Sequence, residues 1–171
     1  MRGGARLTTA AACLLVLGCA AATAVAVTAH GAASSAGGGA ITAVKVKRGK
    51  DATALDAGAG SGYRDLPGSA IQVRVASDRR GLLLARLTAE SLCSGRGYCS
   101  ARVVVDGREA APPVGADFAF DSGGGGYEGL AMDRSKVVGP GLHTVKVQVS
   151  LEGAMSFRLD DWSFAVELAA A

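Results

Sequence analysis

The chain has 171 residues, with 18 Lys plus Arg against 15 Asp plus Glu and a formal net charge of +3. Hydrophobic residues make up 49% but aromatic ones only 5%, and 25 residues are glycine, so small side chains carry much of the apolar fraction. Without Arg2 and Arg6 the remaining 16 cations face 15 acids, and so balanced a chain lacks the clustered basic face on which nucleic-acid binding depends.

No residue from Leu7 to Ala29 is charged, and the run follows Arg2 and Arg6. This is the basic n-region and apolar h-region of a secretory signal, so residues 1–29 read as a signal peptide or membrane anchor. Three endings fit the residues. Val27-Thr28-Ala29 offers the small side chains that signal peptidase needs, and Val16-Leu17-Gly18-Cys19 resembles a bacterial lipobox in which Cys19 would be lipidated. An uncleaved anchor also fits, since about 20 apolar residues cross a bilayer. Each ending exports the remainder to the cell envelope or beyond, with membrane contact only through this segment. Residues 30–43, which include Ser34, Ser35 and Gly37 to Gly39, read as a flexible linker.

From residue 44 to 171 the apolar positions recur with a period of two, the mark of strands with one buried and one wet face. Val44 and Val46 alternate with Lys45 and Lys47, which predicts a first strand with the valines inward. Residues 49–70, rich in Gly, Ala and Asp, predict a long loop. Ile71, Val73 and Val75 follow, then Leu83, Ala85, Leu87 and Ala89, then Ala101, Val103 and Val105. Phe118 and Phe120 alternate with acids, and Val145, Val147, Val149 and Leu151 alternate with polar residues. The last strand carries Phe157 and Leu159, then Trp162, Phe164, Val166 and Leu168, and the change of parity predicts a bulge at Asp160-Asp161. Turns are expected at Asp78 to Gly81, Asp106-Gly107, Gly139-Pro140-Gly141 and Glu152-Gly153, with Asp106-Gly107 suited to a two-residue hairpin of type I′. No window shows an amphipathic helix. Eight or nine such strands predict an all-β fold, an antiparallel sandwich or a barrel, and of these a β-sandwich of jelly-roll type is expected.

Cys93 and Cys99 flank Ser94 to Tyr98 between two apolar runs, so they are expected to pair as a disulfide at a hairpin tip in an oxidising compartment. A redox pair two residues apart or a four-ligand zinc set is not seen, and no cofactor is expected. His143 stands at the start of a strand and reads as a surface group; no Gly-x-Ser-x-Gly elbow accompanies it. Asp117, Asp121, Asp160 and Asp161 are the acids that a calcium ion could gather, although they lack the spaced ligands of a dedicated loop. Phe118, Phe120, Phe157, Trp162 and Phe164 follow the strand alternation and are expected in the core, whereas Tyr63, Tyr98 and Tyr127 lie in or beside loops, where a ring can stack on a sugar or a partner.

The stretch Leu83 to Asp106, "LLARLTAESLCSGRGYCSARVVVD", continues as "DFAFDS", "MDRS", "GLHTVKVQV" and "FRLDDWSFAVE". Together these resemble a group of small exported β-sandwich proteins of high-GC actinobacteria, over about the last hundred residues, in motifs that name no activity. "GLHTVKVQV" with "FRLDDW" is also similar to the closing strands of jelly-roll carbohydrate-binding modules. That likeness implies architecture, and it does not supply their sugar-platform aromatics, because Trp162 has core-facing parity. The expected function is a non-enzymatic binding or adhesion module of the envelope, with a protein or glycan ligand. A carbohydrate-binding module is the first alternative, and a hydrolase using His143 the second.

Overall fold

The computed structural model describes residues 37–50, 53–56, 62–115, 118–121 and 125–171. The export segment with Cys19, and Asp117 among the calcium candidates, lie outside the described residues. Every described element is a strand: β1 (Ile41–Arg48), β2 (Thr53–Asp56), β3 (Arg64–Asp65), β4 (Ile71–Val75), β5 (Gly81–Val105), β6 (Arg108–Glu109), β7 (Glu128–Val138) and β8 (Gly141–Ala170). The eight strands belong to one antiparallel sheet, and the two longest, β5 with 25 residues and β8 with 30, run beside each other almost throughout.

The long ribbon divides into two halves. In the first, residues 81–91 of β5 pair with β7 on one side and with the carboxyl-terminal part of β8 on the other, and β8 pairs on with β1. In the second, residues 98–105 of β5 pair with the amino-terminal part of β8, which pairs on with β3 and β4, while β6 closes the other edge. One core cluster takes Leu83, Leu87, Phe164 and Val166 from the first half and Val73, Val103, Val147 and Val149 from the second. The sheet therefore curls around a single core. Trp162 is 4% exposed and belongs to that core, as its parity predicts.

Local signals succeed where the chain reverses or slips. Asp106 and Gly107 both have positive φ, at 52° and 75°, and join β5 to β6 as the expected tight hairpin. At Asp160-Asp161 the partner of β5 slips between Thr88 and Glu90, and Asp161 takes a φ of 41°: this is the predicted bulge.

Other expectations need correction. Cys93 and Cys99 are bonded, 5.8 Å apart at Cα, but they close no hairpin tip: both lie inside β5, which continues through them. Glu152-Gly153 is likewise no turn but an irregular point inside β8, opposite Tyr98. Gly97 explains why the ribbon can be irregular there. Its φ is 101°, and a Cβ on it would stand 2.0 Å from the Glu152 carbonyl oxygen, so only glycine admits so close an approach of the two long strands. The expected loop 49–70 contains β2 and β3, both short partners of β8. Phe118 to Asp121 form no strand; the Phe120 amide donates to the Cys99 carbonyl at 2.8 Å and Ser91 Oγ to the Phe120 carbonyl at 2.9 Å, which seats Phe120 in the core over the disulfide region.

The first strand is reversed in sense. It begins at Ile41, inside the stretch read as linker, and Lys45 and Lys47 stand opposite Val166 and Phe164. Directly opposed residues share a sheet face, so the lysines take the core side and the valines the outside. Val44 is 57% exposed.

Candidate functional site

The outer face of the first half can be read as rows across β7, β5, β8 and β1. One row runs Val137, Leu82, Ala169, Ile41, the next Ser135, Leu84, Glu167, Val44, and a third Asp133, Arg86, Ala165, Val46. Seven large hydrophobic side chains are exposed among the described residues, and five of them, Ile41, Val44, Val46, Leu84 and Val137, fall on this face. Scattered exposed hydrophobics are ordinary, but a contiguous patch marks an interaction surface. On the same face a cavity of about 260 Å³ opens between Leu84 and Ala165 on the sheet and Ala111-Pro112, which is bridged to the edge of β7 through Ser135. Arg86 and Asp133 form an exposed ion pair of 2.8 Å across its lining. At its inner side Arg134 is 9% exposed; one of its terminal nitrogens donates to the Asp133 carbonyl and its guanidinium lies 5.1 Å from the centre of the Phe118 ring. Burial pulls the Arg134 pKa below its ordinary value, against the opposing pull of Glu109 and Asp133.

The outer face of the second half is built differently. Arg102 lies over the Tyr63 ring at 4.0 Å and donates to Gln148 Oε1 at 2.9 Å. Gln148 Nε2 and Lys146 Nζ converge on the two oxygens of Asp65 at 2.8 and 2.7 Å, and those hydrogen bonds, Lys146 first, hold its pKa below the usual carboxylate value. The Tyr63 hydroxyl shares a 2.7 Å hydrogen bond with Ser100. Arg102, Gln148, Lys146, Asp65, Tyr63 and Ser100 on this face thus have partners from the protein itself, whereas the buried Ser150 hydroxyl, opposite Ser100, has none among the described residues.

The three loop tyrosines separate accordingly. Tyr63 is half-buried within that network and Tyr98 is half-buried at the irregular point of β5, while Tyr127 is exposed just before β7, in the other half. The calcium candidates do not converge either. Asp121 accepts the Cys99 amide at 2.8 Å and Asp160 accepts the Asp161 amide at 2.9 Å. The group of three potential metal ligands found among the described residues is Cys93, Cys99 and Asp121; with both sulfurs in a disulfide it offers no thiolate.

His143 is more than a surface group. Its Nδ1 meets Asp106 at 2.7 Å and its Nε2 meets the Gly139 carbonyl at 2.9 Å, and its side chain is only 13% exposed. Asp106 also accepts the Thr144 amide at 2.9 Å. Burial works against the imidazolium, yet the Asp106 carboxylate and the Gly139 carbonyl outweigh it and raise the pKa above 6.5. The ring clamps the β5–β6 turn to the β7–β8 turn. With acceptors on both nitrogens it has no free lone pair to activate a hydroxyl.

Sequence reasoning missed the apolar outer face, although a signal was present. Leu82-Leu83-Leu84-Ala85 and Val137-Val138 are apolar at both parities, whereas a strand with one wet face should alternate.

No protein-family model matches the sequence, and no curated protein matches it. Among solved structures the chain is similar to dimeric latent PorU from Porphyromonas gingivalis, with a TM-score of 0.36 and 12% identity over 63% of this chain and 10% of that one. The chain thus spans about a tenth of that protein's length.

Proposed function

We propose that the protein is an exported, non-enzymatic binding or adhesion module of the cell envelope, and that its ligand docks on the outer face of the first half of the sheet. The observation that carries this reading is the gathering of five exposed large hydrophobic side chains on one sheet face, beside a cavity lined by apolar and charged residues alike. The disulfide fits an oxidising compartment, in keeping with the signal-like residues 1–29. The engagement of both His143 nitrogens weighs against the hydrolase alternative, and the burial of Trp162 removes the largest aromatic from a sugar platform.

The test is binding of the full chain to the envelope fraction of the cells that express it. Replacing Leu84 and Val137 together with Gln should lower that binding at least tenfold while circular dichroism stays unchanged. Full binding by this variant, together with loss in Tyr98→Ala or Tyr127→Ala, would replace the reading with carbohydrate recognition.

A further inference from the structure

The edge of the apolar face is β1, which pairs only with β8 among the described residues. Among the described residues its other side makes no backbone hydrogen bond, and such a row of amides and carbonyls makes an edge strand a template for another chain. The two side-chain rows of β1 differ in chemistry. Val44 and Val46 continue the apolar outer face, 57% and 41% exposed. Lys45 and Lys47, opposite Val166 and Phe164, are exposed too and line a cleft of about 590 Å³ between β1 and β4, whose lining also includes Val46, Ile71, Gln72 and Thr144. Arg48 and Lys50 extend the positive charge, and none of these four cations forms an ion pair among the described residues.

Resting on the binding-module reading above, we propose that β1 is the docking edge for an extended segment of another protein in which apolar and acidic residues alternate. Such a segment would add to the sheet as a further strand, the recognition mode in which main-chain hydrogen bonds hold the ligand and alternate side chains select it. Its apolar residues would lie beside Val44 and Val46 on the outer face, and its carboxylates beside Lys45 and Lys47 in the cleft. The lysine row argues against a second copy of this chain, because pairing β1 with itself about Val46 would set Lys45 against Lys47 across the new ladder, and opposed like charges destabilise a strand pair. Lysines also protect edge strands from chance pairing. A strand protected for that purpose alone, however, would not keep bare valines on its other face.

The probes are ten-residue capped peptides, read by fluorescence anisotropy on the full chain. A peptide alternating Val and Glu should bind at least tenfold more tightly than one alternating Val and Lys. The preference should invert in the Lys45→Glu/Lys47→Glu variant, and N-methylation of alternate amides in the Val-Glu peptide should weaken binding at least tenfold. Equal affinity for the two peptides, or indifference to N-methylation, would overturn strand addition. A dimer of the full chain in sedimentation, strengthened in the single Lys45→Glu variant that would set a carboxylate against Lys47, would transfer the edge to a second copy. The parent reading is tested separately: if Leu84→Gln/Val137→Gln still abolishes envelope binding while the peptides fail, the docking face stands and only the partner class falls.

Discussion

The two outer faces of the curled sheet share the same long strands and carry opposite chemistry. On the second half, Arg102, Gln148, Asp65, Lys146 and Tyr63 satisfy one another, and the face is finished by the protein's own side chains. On the first half, Ile41, Val44, Val46, Leu84 and Val137 are exposed, Leu84 lines a cavity, and the ion pair of Arg86 with Asp133 in the same lining is exposed. Water solvates the first arrangement without penalty and the second at a cost that grows with apolar area. A sheet that needed only to fold would carry polar residues at Val44 and Leu84, as it does at Arg102 and Gln148. On the binding reading proposed above, the difference between the halves reflects docking on the first face, with stability resting on the shared core and the second face.

The comparison can be broken at the junction between the halves. Cys93 and Cys99 lock the irregular stretch of β5 through which the ribbon passes from one half to the other, and Asp121 and Phe120 are tied to the same residues. Replacing both cysteines with Ser should cost about 2 kcal/mol by the loop-entropy argument for so short a ring. Urea unfolding with and without a reductant measures it; an unchanged midpoint would mean that the glycines alone set the junction.

It can be sharpened by paired substitutions on the two faces. Arg102→Ala removes the stack on Tyr63 and the bond to Gln148, and should cost about 1 kcal/mol, since Arg102 and Glu109 are only partly exposed. Leu84→Gln on the opposite half should change stability by no more than about 0.5 kcal/mol, because Leu84 lies on the outer face and is 40% exposed. Thermal melts of the two variants side by side decide the matter, and a larger loss for Leu84→Gln would show that the apolar face is structural.

The smallest effect expected is a pH dependence at the end of the second half. His143 binds protons more tightly folded than unfolded, so its contribution is complete below about pH 6.5 and is lost as pH rises through the folded value. Asp106 shifts the other way: burial opposes its charge, but His143 and the Thr144 amide lower its pKa, so its contribution is present above about pH 4 and is lost in acid. The clamp should be strongest between these limits and worth about 1 kcal/mol or less, since half of the Asp106 side chain faces water. Melting temperature against pH should fall above neutrality in the native chain and flatten in His143→Ala; identical profiles would remove the clamp from the account.

Much of this was legible before any coordinates. Period-two alternation marked the long strands and put Leu83, Leu87, Val103, Val147 and Phe164 in the core, where they lie. Asp106-Gly107 and Asp160-Asp161 announced a hairpin turn and a bulge, because positive φ and a change of parity are properties of adjacent residues. The pairing of Cys93 with Cys99 was equally local. What only the tertiary structure decided is which side of a strand is covered. Alternation says that two rows differ, and not which row meets the core; in β1 the register against β8 set Lys45 and Lys47 on the core side, still exposed, and left Val44 and Val46 on the outside. The same limit hid the apolar face of Leu84 and Val137, the clamp from His143 to Asp106 across 37 residues, and the passage of β5 through its own disulfide. Each depends on contacts between segments far apart in the chain, whose free energy no local pattern records.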